Sequence, residues 1–440
     1  MKKLIKILLV IISIIILCLI TSFFFKICPP KGPWPTPPWC EEIKFERVKF
    51  DLQVKTSPLP QIKAVNMADT WGRNYNFGMF ENTRDNIDSS FDIVKEMEAE
   101  EVYVHDFHRA LYDGEEDFKS LNYKIVNEIF LNDMRDESFS EYDVEKLTKE
   151  AHERGLKIGI KHNMAFVNIG KYITEGLTGK IEGSVQKDYQ DFNSSHSEEW
   201  IKDYFSKWQG RMVERAKLYQ KYNVDIMSIT PSWMSPTFAG NEELANTLWK
   251  DLISAVRKEF SGKIHVELSV YGFLSGFDEK ENYNKYDYYK NADIVETRIY
   301  SLWGEYKTRN NPDFPEMKFG INKLLSDLDV RSKNEGIKLS VFFAPFSYQN
   351  AINDGIVEFL DVNNQKTIET VSKVDYNHQA SAYQALFESL ITKNNLERIV
   401  ASSLVWDDAM DPLVKPKISI SSSFRNKPAE DVITKWFLAK

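Results

Sequence analysis

Short apolar runs alternate with helical segments along most of the chain. Eight runs rich in β-branched residues follow one another, and apolar residues spaced three or four apart fall between most of them. This alternation predicts a parallel sheet, and eight is the number of strands that closes a (β/α)8 barrel. The predicted strands are 62–69, 101–108, 156–163, 224–231, 264–271, 293–300, 337–345 and 398–408.

The predicted helices each place apolar residues along one face. A capping box, Ser140-x-x-Asp143, predicts where the second helix begins. The polar stretch 278–291 is the exception, because it predicts at most a short helix after the fifth strand. The predicted buried faces are Ile87, Phe91, Val94 and Met97; Val144, Leu147 and Ala151; Trp200, Tyr204 and Trp208; Leu244, Leu248, Leu252 and Val256; Ile321, Leu324 and Leu328; Ala380, Tyr383, Phe387 and Leu390; Val432 and Trp436.

An open, doubly wound sheet is the alternative fold for such a pattern. Sheets of that kind usually carry a glycine-rich phosphate turn after the first strand, and the sequence has no G-x-G-x-x-G or P-loop motif. We therefore predict an α/β fold with one (β/α)8 TIM barrel over residues 61–440. Its long polar loops, 109–139, 164–196 and 346–375, follow the carboxyl ends of strands, where barrel enzymes build their sites.

The N-terminus predicts export. Lys2, Lys3 and Lys6 precede a run from Ile7 to Phe25 that contains no charge. Nineteen helical residues span about 28 Å, close to the hydrocarbon thickness of a bilayer. The run ends without a small-x-small cleavage site, which favours an uncleaved anchor over a signal peptide for residues 1–26. The basic flank places the rest of the chain on the extracytoplasmic side of the cell membrane.

A proline-rich segment separates this anchor from the barrel. Cys28 and Cys40 bracket six prolines just outside the predicted membrane, where an oxidising space favours a disulfide between them. We interpret residues 27–60 as a stiff stalk followed by a strand, with a proline-rich recognition motif as the alternative. The spacing of cysteine and histidine residues does not match a zinc site.

Composition and charge limit the classes of partner that the chain could bind. The chain has 440 residues, is 42% apolar and carries a formal charge of −9. This is enough apolar material for a large core. No cluster of Lys and Arg lies outside the N-terminus, which argues against nucleic acid as a partner.

Carboxylates and aromatic residues concentrate at the carboxyl ends of the predicted strands. Aromatic rings cover the C–H faces of a pyranose, while carboxylates accept hydroxyl hydrogen bonds or transfer protons. We therefore predict a carbohydrate site at this face, with no cofactor and no metal. The predicted carboxylates are Asp69, Asp106, Glu296, Asp407 and Asp408; the predicted binding residues are Trp71, His162, Ser232, Trp233, Tyr271, Arg298, Tyr300, Trp303, Tyr348 and Trp406.

Two motifs carry a resemblance to a known family. The stretch 421–437 contains Arg-x-Lys-Pro-Ala-Glu, and 377–390 contains Gln-Ala-x-x-Tyr-x-Ala. From about Met67 to the C-terminus the chain resembles glycoside hydrolase family 113, β-mannanase-like enzymes of the TIM-barrel glycoside hydrolase superfamily. The resemblance implies the barrel and the superfamily, and it does not imply the substrate.

The sequence departs from that family at both catalytic positions. The family places an acid/base Glu at the end of strand four and a nucleophilic Glu on strand seven, where this chain has Ser232 and Pro345. No Asp or Glu lies between 227 and 240 or between 340 and 351, so a shifted alignment supplies neither acid. Hydrolysis of a glycosidic bond needs both carboxyl groups.

Three interpretations follow from this departure. The sequence favours hydrolysis by relocated acids, with Glu296 as the main candidate and a partner among Asp106, Asp407 and Asp408. Arg298 would keep Glu296 ionised, although the two residues would equally form an ion pair lining the barrel. The alternative is a barrel that binds carbohydrate without cutting it.

A metal centre built from His105, Asp106, His108 and His162 is the third interpretation. It is disfavoured because neighbouring residues of a strand point to opposite sides, which separates His105 from Asp106.

Overall fold

The computed structural model describes residues 54–68, 83–112, 123–126, 128–131, 134–168, 196–231, 238, 240–271, 286–355, 373–405 and 421–440. No helix within these ranges is both long and apolar enough to cross a bilayer. The predicted anchor and most of the predicted stalk lie outside the described residues. Residues 54–61 are described and contact the helix Tyr376–Leu390: Gln384 donates a hydrogen bond to the Lys55 carbonyl at 3.1 Å, and Gln61 donates to the Leu390 carbonyl at 3.1 Å.

Eight parallel strands close into a barrel, as the alternation predicts. The first strand, β1 (Ile62–Ala68), pairs with the last, β11 (Leu396–Val405), on one side and with β2 (Glu101–Tyr112) on the other, so the sheet joins its own ends. Three short strands lie between β2 and β6: β3 (Tyr123–Val126) extends β2 in antiparallel register, and β4 (Glu128–Leu131) pairs with β5 (Met134–Glu137). The barrel strands are β1 (Ile62–Ala68), β2 (Glu101–Tyr112), β6 (Lys157–Asn168), β7 (Ile226–Pro231), β8 (Lys263–Tyr271), β9 (Ile294–Ile299), β10 (Leu339–Phe343) and β11 (Leu396–Val405).

Helices cover the outside of the barrel with the apolar faces that the sequence predicts. Ser140 and Asp143 form the expected reciprocal capping box at the start of α2. The helices are α1 (Thr83–Glu96), α2 (Glu141–Glu153), α3 (Glu198–Tyr222), α4 (Glu242–Glu259), α5 (Phe314–Glu335), α6 (Ala351–Asp354), α7 (Tyr376–Leu390) and α8 (Pro428–Phe437).

The buried face of α4 differs in part from the predicted one, and the connection after β8 agrees with the prediction. On α4 the buried stripe is centred on Ala245, Trp249 and Ile253, together with Leu252 and Val256. Leu244 and Leu248 lie at its edge and are only partly buried, whereas the Trp249 ring packs against Phe205 and Tyr288. After β8, the described part of the polar connection contains one 3-10 turn over residues 288–291, in line with the short helix expected there.

Acidic residues just before two strands fix the amino-terminal end of the barrel. The Ile158 amide donates to the Asp225 carboxylate at 2.9 Å, and the Ile264 amide donates to the Asp293 carboxylate at 2.7 Å. Arg257 pairs with Asp293. Each carboxylate therefore satisfies an amide one residue before its own strand begins to pair with that neighbour, at Gly159–Ile226 and His265–Ile294.

A buried ion pair lies in the barrel lumen near the amino-terminal ends of the strands, which we call its lower end. Arg398 on β11 makes a bidentate contact with Glu101 on β2, with N–O distances of 2.7 and 3.1 Å. The Tyr103 hydroxyl donates to the same carboxylate at 3.0 Å. The Tyr103 ring occupies space left by Gly159, where an added Cβ would lie 2.5 Å from ring atoms. These contacts satisfy a carboxylate and a guanidinium that are otherwise removed from water.

We predict that Glu101→Gln lowers the free energy of unfolding by about 3–5 kcal/mol, because it leaves the Arg398 charge buried without a counter-ion. The double variant Glu101→Gln/Arg398→Met removes both charges and should recover at least half of that loss. Urea unfolding followed by tryptophan fluorescence measures both values. Equal losses in the single and double variants would contradict the pairing.

Candidate functional site

Alternate residues of each barrel strand face either the lumen or the surrounding helices. On β2, Tyr103 and His105 contact lumen residues, whereas Asp106 and His108 contact α3. The same alternation on β6 turns Lys161 inward and His162 outward. Only predicted site residues that face the lumen can therefore lie together in one site.

A charged cluster occupies the lumen above the Glu101–Arg398 pair. Lys161 forms an ion pair with Glu296 and lies 3.7 Å from the Glu267 carboxylate. Arg298 contacts the same two acids, with its Nη1 3.3 Å from Glu267 Oε2 and its Nε 3.7 Å from Glu296 Oε1. His265 Nε2 lies 3.3 Å from Glu296 Oε2 without the alignment of a hydrogen bond. Two carboxylates on neighbouring strands therefore share two cations.

Glu296 is an ionised, enclosed carboxylate. Its side chain has no exposed surface. Burial alone would raise the pKa of Glu296, but the Lys161 ammonium, followed by His265 and then the Arg298 guanidinium, outweighs that effect and holds the pKa well below its usual range. Burial in turn lowers the pKa of Lys161. Glu296 is thus a counter-ion, the alternative that the sequence left open for the Glu296–Arg298 pair.

An uncharged hydrogen-bond chain crosses the opposite side of the lumen. The Asn163 amide lies 3.0 Å from His105 Nδ1, and His105 Nε2 lies 2.7 Å from the Asn66 carbonyl oxygen. Asn66 in turn donates to the Ser402 hydroxyl at 3.2 Å. Burial, with Arg298 and Lys161 nearby, lowers the pKa of His105 well below its usual value, so the ring is neutral and its Nε2 carries the proton.

Exposure divides the inward-facing residues into two levels. The lower level, farther from the carboxyl ends of the strands, has no exposed surface and consists of Lys161, Glu296 and His265. The upper level consists of residues that keep 5–9% of their surface or side chain exposed: His105, Asn163, Thr230, Glu267, Arg298 and Tyr300. We refer to these six residues as the floor, since they lie toward the carboxyl ends of the strands, where ligands bind in barrels of this type.

Asp106 and His162 lie outside this arrangement, between the barrel and α3. Asp106 accepts hydrogen bonds from the Phe139 amide at 2.7 Å and the Tyr219 hydroxyl at 3.0 Å, and its Oδ2 lies 3.2 Å from Arg215 Nε. His162 stacks on Tyr219. Both residues are fully buried. The structure therefore does not bring Asp106 or His162 together with Glu296, and it assigns them to packing between strand and helix.

Asp106, His108 and His162 nevertheless cluster closely enough to be compared with a metal site. One ligand atom from each lies within 4.8 Å of the others. His108 Nε2 and His162 Nδ1 are only 2.8 Å apart and share a proton, and Arg211 Nε donates to His108 Nδ1 at 3.2 Å. A cation would have to displace this proton beside two guanidinium groups. The donor set fits a buried hydrogen-bond network better than a metal centre.

The predicted aromatic residues have different environments. Tyr300 borders the lumen beside Phe342 and Arg298, and Trp303 is half-buried just beyond β9. Tyr348 is buried, and its hydroxyl donates a hydrogen bond to the Gly355 carbonyl. This hydroxyl therefore stabilises the loop after β10. Pro345 follows β10, the seventh strand of the barrel, and its carbonyl accepts a hydrogen bond from Gln379 at 2.9 Å.

Several predicted site residues lie outside the described residues. The backbone of Tyr271 ends β8, but its side chain is not described. The predicted residues outside the described ranges are Asp69, Trp71, Ser232, Trp233, Trp406, Asp407 and Asp408.

Sequence reasoning missed several floor and lumen residues. The sequence pattern predicts no binding role for Asn66, Asn163 or Glu267, only a metal-ligand role for His105, and no pairing of Lys161 with Glu296. The period of two in each strand was a usable signal, because Lys161 and Asn163, or His265 and Glu267, must share a face. What the period does not reveal is which face is the lumen.

The two motifs that carry the family resemblance form scaffold contacts. The Tyr383 hydroxyl bonds to the carbonyls of Phe343 and Ser402, at 3.0 and 2.6 Å. Lys427 is buried and donates to the Ser347 hydroxyl at 2.8 Å. Arg425 donates to the Ser90 hydroxyl on α1. These residues tie the ends of β10 and β11 to the helices, which explains why they specify the fold rather than a substrate.

Comparison with solved structures supports the barrel assignment. A GH113 β-1,4-mannanase shares 13% identity at a TM-score of 0.53, covering 88% of this chain and 100% of its own. A GH113 β-mannanase from Alicyclobacillus acidocaldarius shares 14% at 0.50, covering 88% and 98%. A family 5 mannosidase from Rhizomucor miehei shares 11% at 0.50, covering 87% and 92%. At these identities the likeness shows the fold alone, a (β/α)8 barrel.

Sequence comparisons add no closer relative. No family model matches the chain, and no curated protein sequence is significantly similar to it.

We predict that the protein loses stability as the pH falls from 7 to 5. Burial, followed by Arg215 and Arg211, lowers the pKa of His162 well below 6.5, so the unfolded chain binds a proton that the folded chain does not. His162→Gln should reduce the pH dependence of the unfolding free energy by up to about 1.4 kcal/mol per pH unit. Urea unfolding at pH 7, 6 and 5 measures it, and parallel slopes in both proteins would contradict the assignment.

Proposed function

We propose that the protein binds a poly- or oligosaccharide at the carboxyl-terminal face of its barrel and does not cut it through Glu296 or Asp106. The glycoside-hydrolase-like fold supports a carbohydrate ligand. The floor supports it as well, because its amide, hydroxyls, imidazole and ion pair suit sugar hydroxyls.

The pairing of Glu296 with Lys161 carries this proposal. A general acid must hold a proton near neutral pH, and a nucleophile must contact the anomeric carbon. Glu296 is ionised and has no exposed surface, so it meets neither condition. Asp106 faces α3, accepts hydrogen bonds from Tyr219 and Phe139, and forms an ion pair with Arg215. This weighs against hydrolysis by these relocated acids and favours the binding alternative.

We propose further that the barrel is held on the extracytoplasmic side of the cell membrane by residues 1–26. The uncharged run Ile7–Phe25 and its basic flank support this location. A membrane-held barrel that retains a glycan would keep that glycan at the cell surface.

Incubation of the full chain with a glycan panel tests the binding proposal. β-1,4-Mannan oligosaccharides belong first in the panel, because two of the neighbours are β-mannanases. We expect at least one glycan to be retained without release of reducing ends. Glu296→Gln should leave the affinity of the folded protein within about twofold. Reducing-end release that Glu296→Gln abolishes would contradict the proposal.

Membrane fractionation tests the anchor. We expect the full chain to remain with membranes after an alkaline carbonate wash, and the barrel to be accessible to protease added outside intact cells. A variant that begins at residue 54 should be released into the soluble fraction. Release of the full chain, or protection from external protease, would contradict the proposed location.

A further inference from the structure

Asn163 is a floor residue whose side chain the fold leaves half used. It lies two residues after Lys161 on β6 and therefore shares the inward face of that strand. It keeps only 7% of its surface exposed. Among the described residues its side chain makes one hydrogen bond, between its Nδ2 and His105 Nδ1 at 3.0 Å. Amide groups that are buried to this extent are normally paired, so the other half of the amide calls for a partner.

The hydrogen bond to His105 fixes how the Asn163 amide is turned. The Asn66 carbonyl oxygen can only accept, so His105 Nε2, 2.7 Å away, must donate to it. The neutral ring carries one proton, which leaves Nδ1 as an acceptor. Asn163 therefore turns its Nδ2 toward His105, and its Oδ1 points away from the ring. Asn66 is held in its turn by the Ser402 hydroxyl at 3.2 Å.

The Oδ1 atom of Asn163 is an acceptor without a donor. No described residue donates a hydrogen bond to it. It is not sealed from solvent, in contrast to the unpartnered ring nitrogens of His265 deeper in the lumen. A site with such an acceptor favours a ligand that brings a donor to it and rejects an analogue that lacks one, because the acceptor then stays unpaired.

The chemistry of this acceptor selects among sugar substituents. A sugar hydroxyl can donate to an amide oxygen, whereas an ionised carboxylate can only accept. A neutral sugar unit therefore fits Asn163 Oδ1, and a uronic acid group at the same position does not.

We propose that Asn163 is a specificity-determining residue of the site and that its Oδ1 accepts a hydrogen bond from one hydroxyl of a bound neutral pyranose unit. This inference rests on the proposed binding of carbohydrate and names one recognition group of that site. The orientation of the amide is set by His105 and Asn66, so the acceptor is in place before the ligand arrives.

Calorimetric titration of the full chain with β-1,4-mannohexaose, cellohexaose and xylohexaose tests this inference. Asn163→Leu keeps the approximate size of the side chain and removes both amide groups. It should weaken binding of the preferred oligosaccharide by about 10-fold, the value of a hydrogen bond whose loss strands a polar group. Binding of the other two should change by no more than about twofold, so the variant discriminates less among the three sugars.

Asn353→Leu is the matched control, because it makes the same change at an asparagine with 4% of its surface exposed. The amide of Asn353 is used within the fold: its Oδ1 accepts from the Thr308 amide at 3.0 Å, and its Nδ2 donates to the Arg309 carbonyl at 2.9 Å. We expect this variant to lower the thermal midpoint more than Asn163→Leu does and to leave all three affinities within about twofold.

The outcomes separate the inference from the proposed function. If Asn163→Leu is folded and binds as tightly as the unaltered protein, or weakens all three sugars equally, the inference is wrong. Asn163→Ala, with the same expected result, replaces the leucine variant if that one does not fold. If the unaltered protein binds no glycan, the proposed function is wrong, and the inference falls with it.

Discussion

Lys161 places a positive charge inside a barrel that excludes water, and the arrangement of the lumen follows from neutralising it. The ammonium lies between the rings of Tyr103 and Phe342, with Glu296 as its direct partner. Removing one member of such a buried pair is far more costly than the net value of the pair, because the remaining charge is stranded. Glu296 is therefore needed to stabilise the fold as the counter-ion of Lys161. The second acid, Glu267, shares the cations from above and remains at the surface of the cluster.

The presence of carboxylates in the lumen therefore does not by itself indicate hydrolytic chemistry. Barrels of the glycoside hydrolase type commonly supply carboxylates from the ends of their strands, and this lumen also contains carboxylates. Glu296, however, is paired with Lys161 inside the barrel and acts as its counter-ion rather than as a proton donor. A polar floor that retains hydrogen-bond acceptors can still recognise hydroxyl groups, which requires hydrogen bonds but no proton transfer.

The family resemblance has the same physical basis. Gln379 and Tyr383 bond to backbone carbonyls at the ends of β10 and β11, and Lys427 is buried against Ser347. Such contacts determine how strands and helices fit together, and they are independent of what the barrel binds. Such residues can therefore be shared by barrels whose strand ends differ.

The sequence by itself determined the eight strands, the helical faces and the capping of α2, because these depend on local periodicity and on side chains a few residues apart. It did not determine which alternate residues of each strand face the lumen. In a parallel barrel both faces of every strand are buried, so inward and outward positions are similarly apolar or polar. Tertiary closure decided that His105, Lys161 and Glu267 face inward, and that Asp106 and His162 face α3.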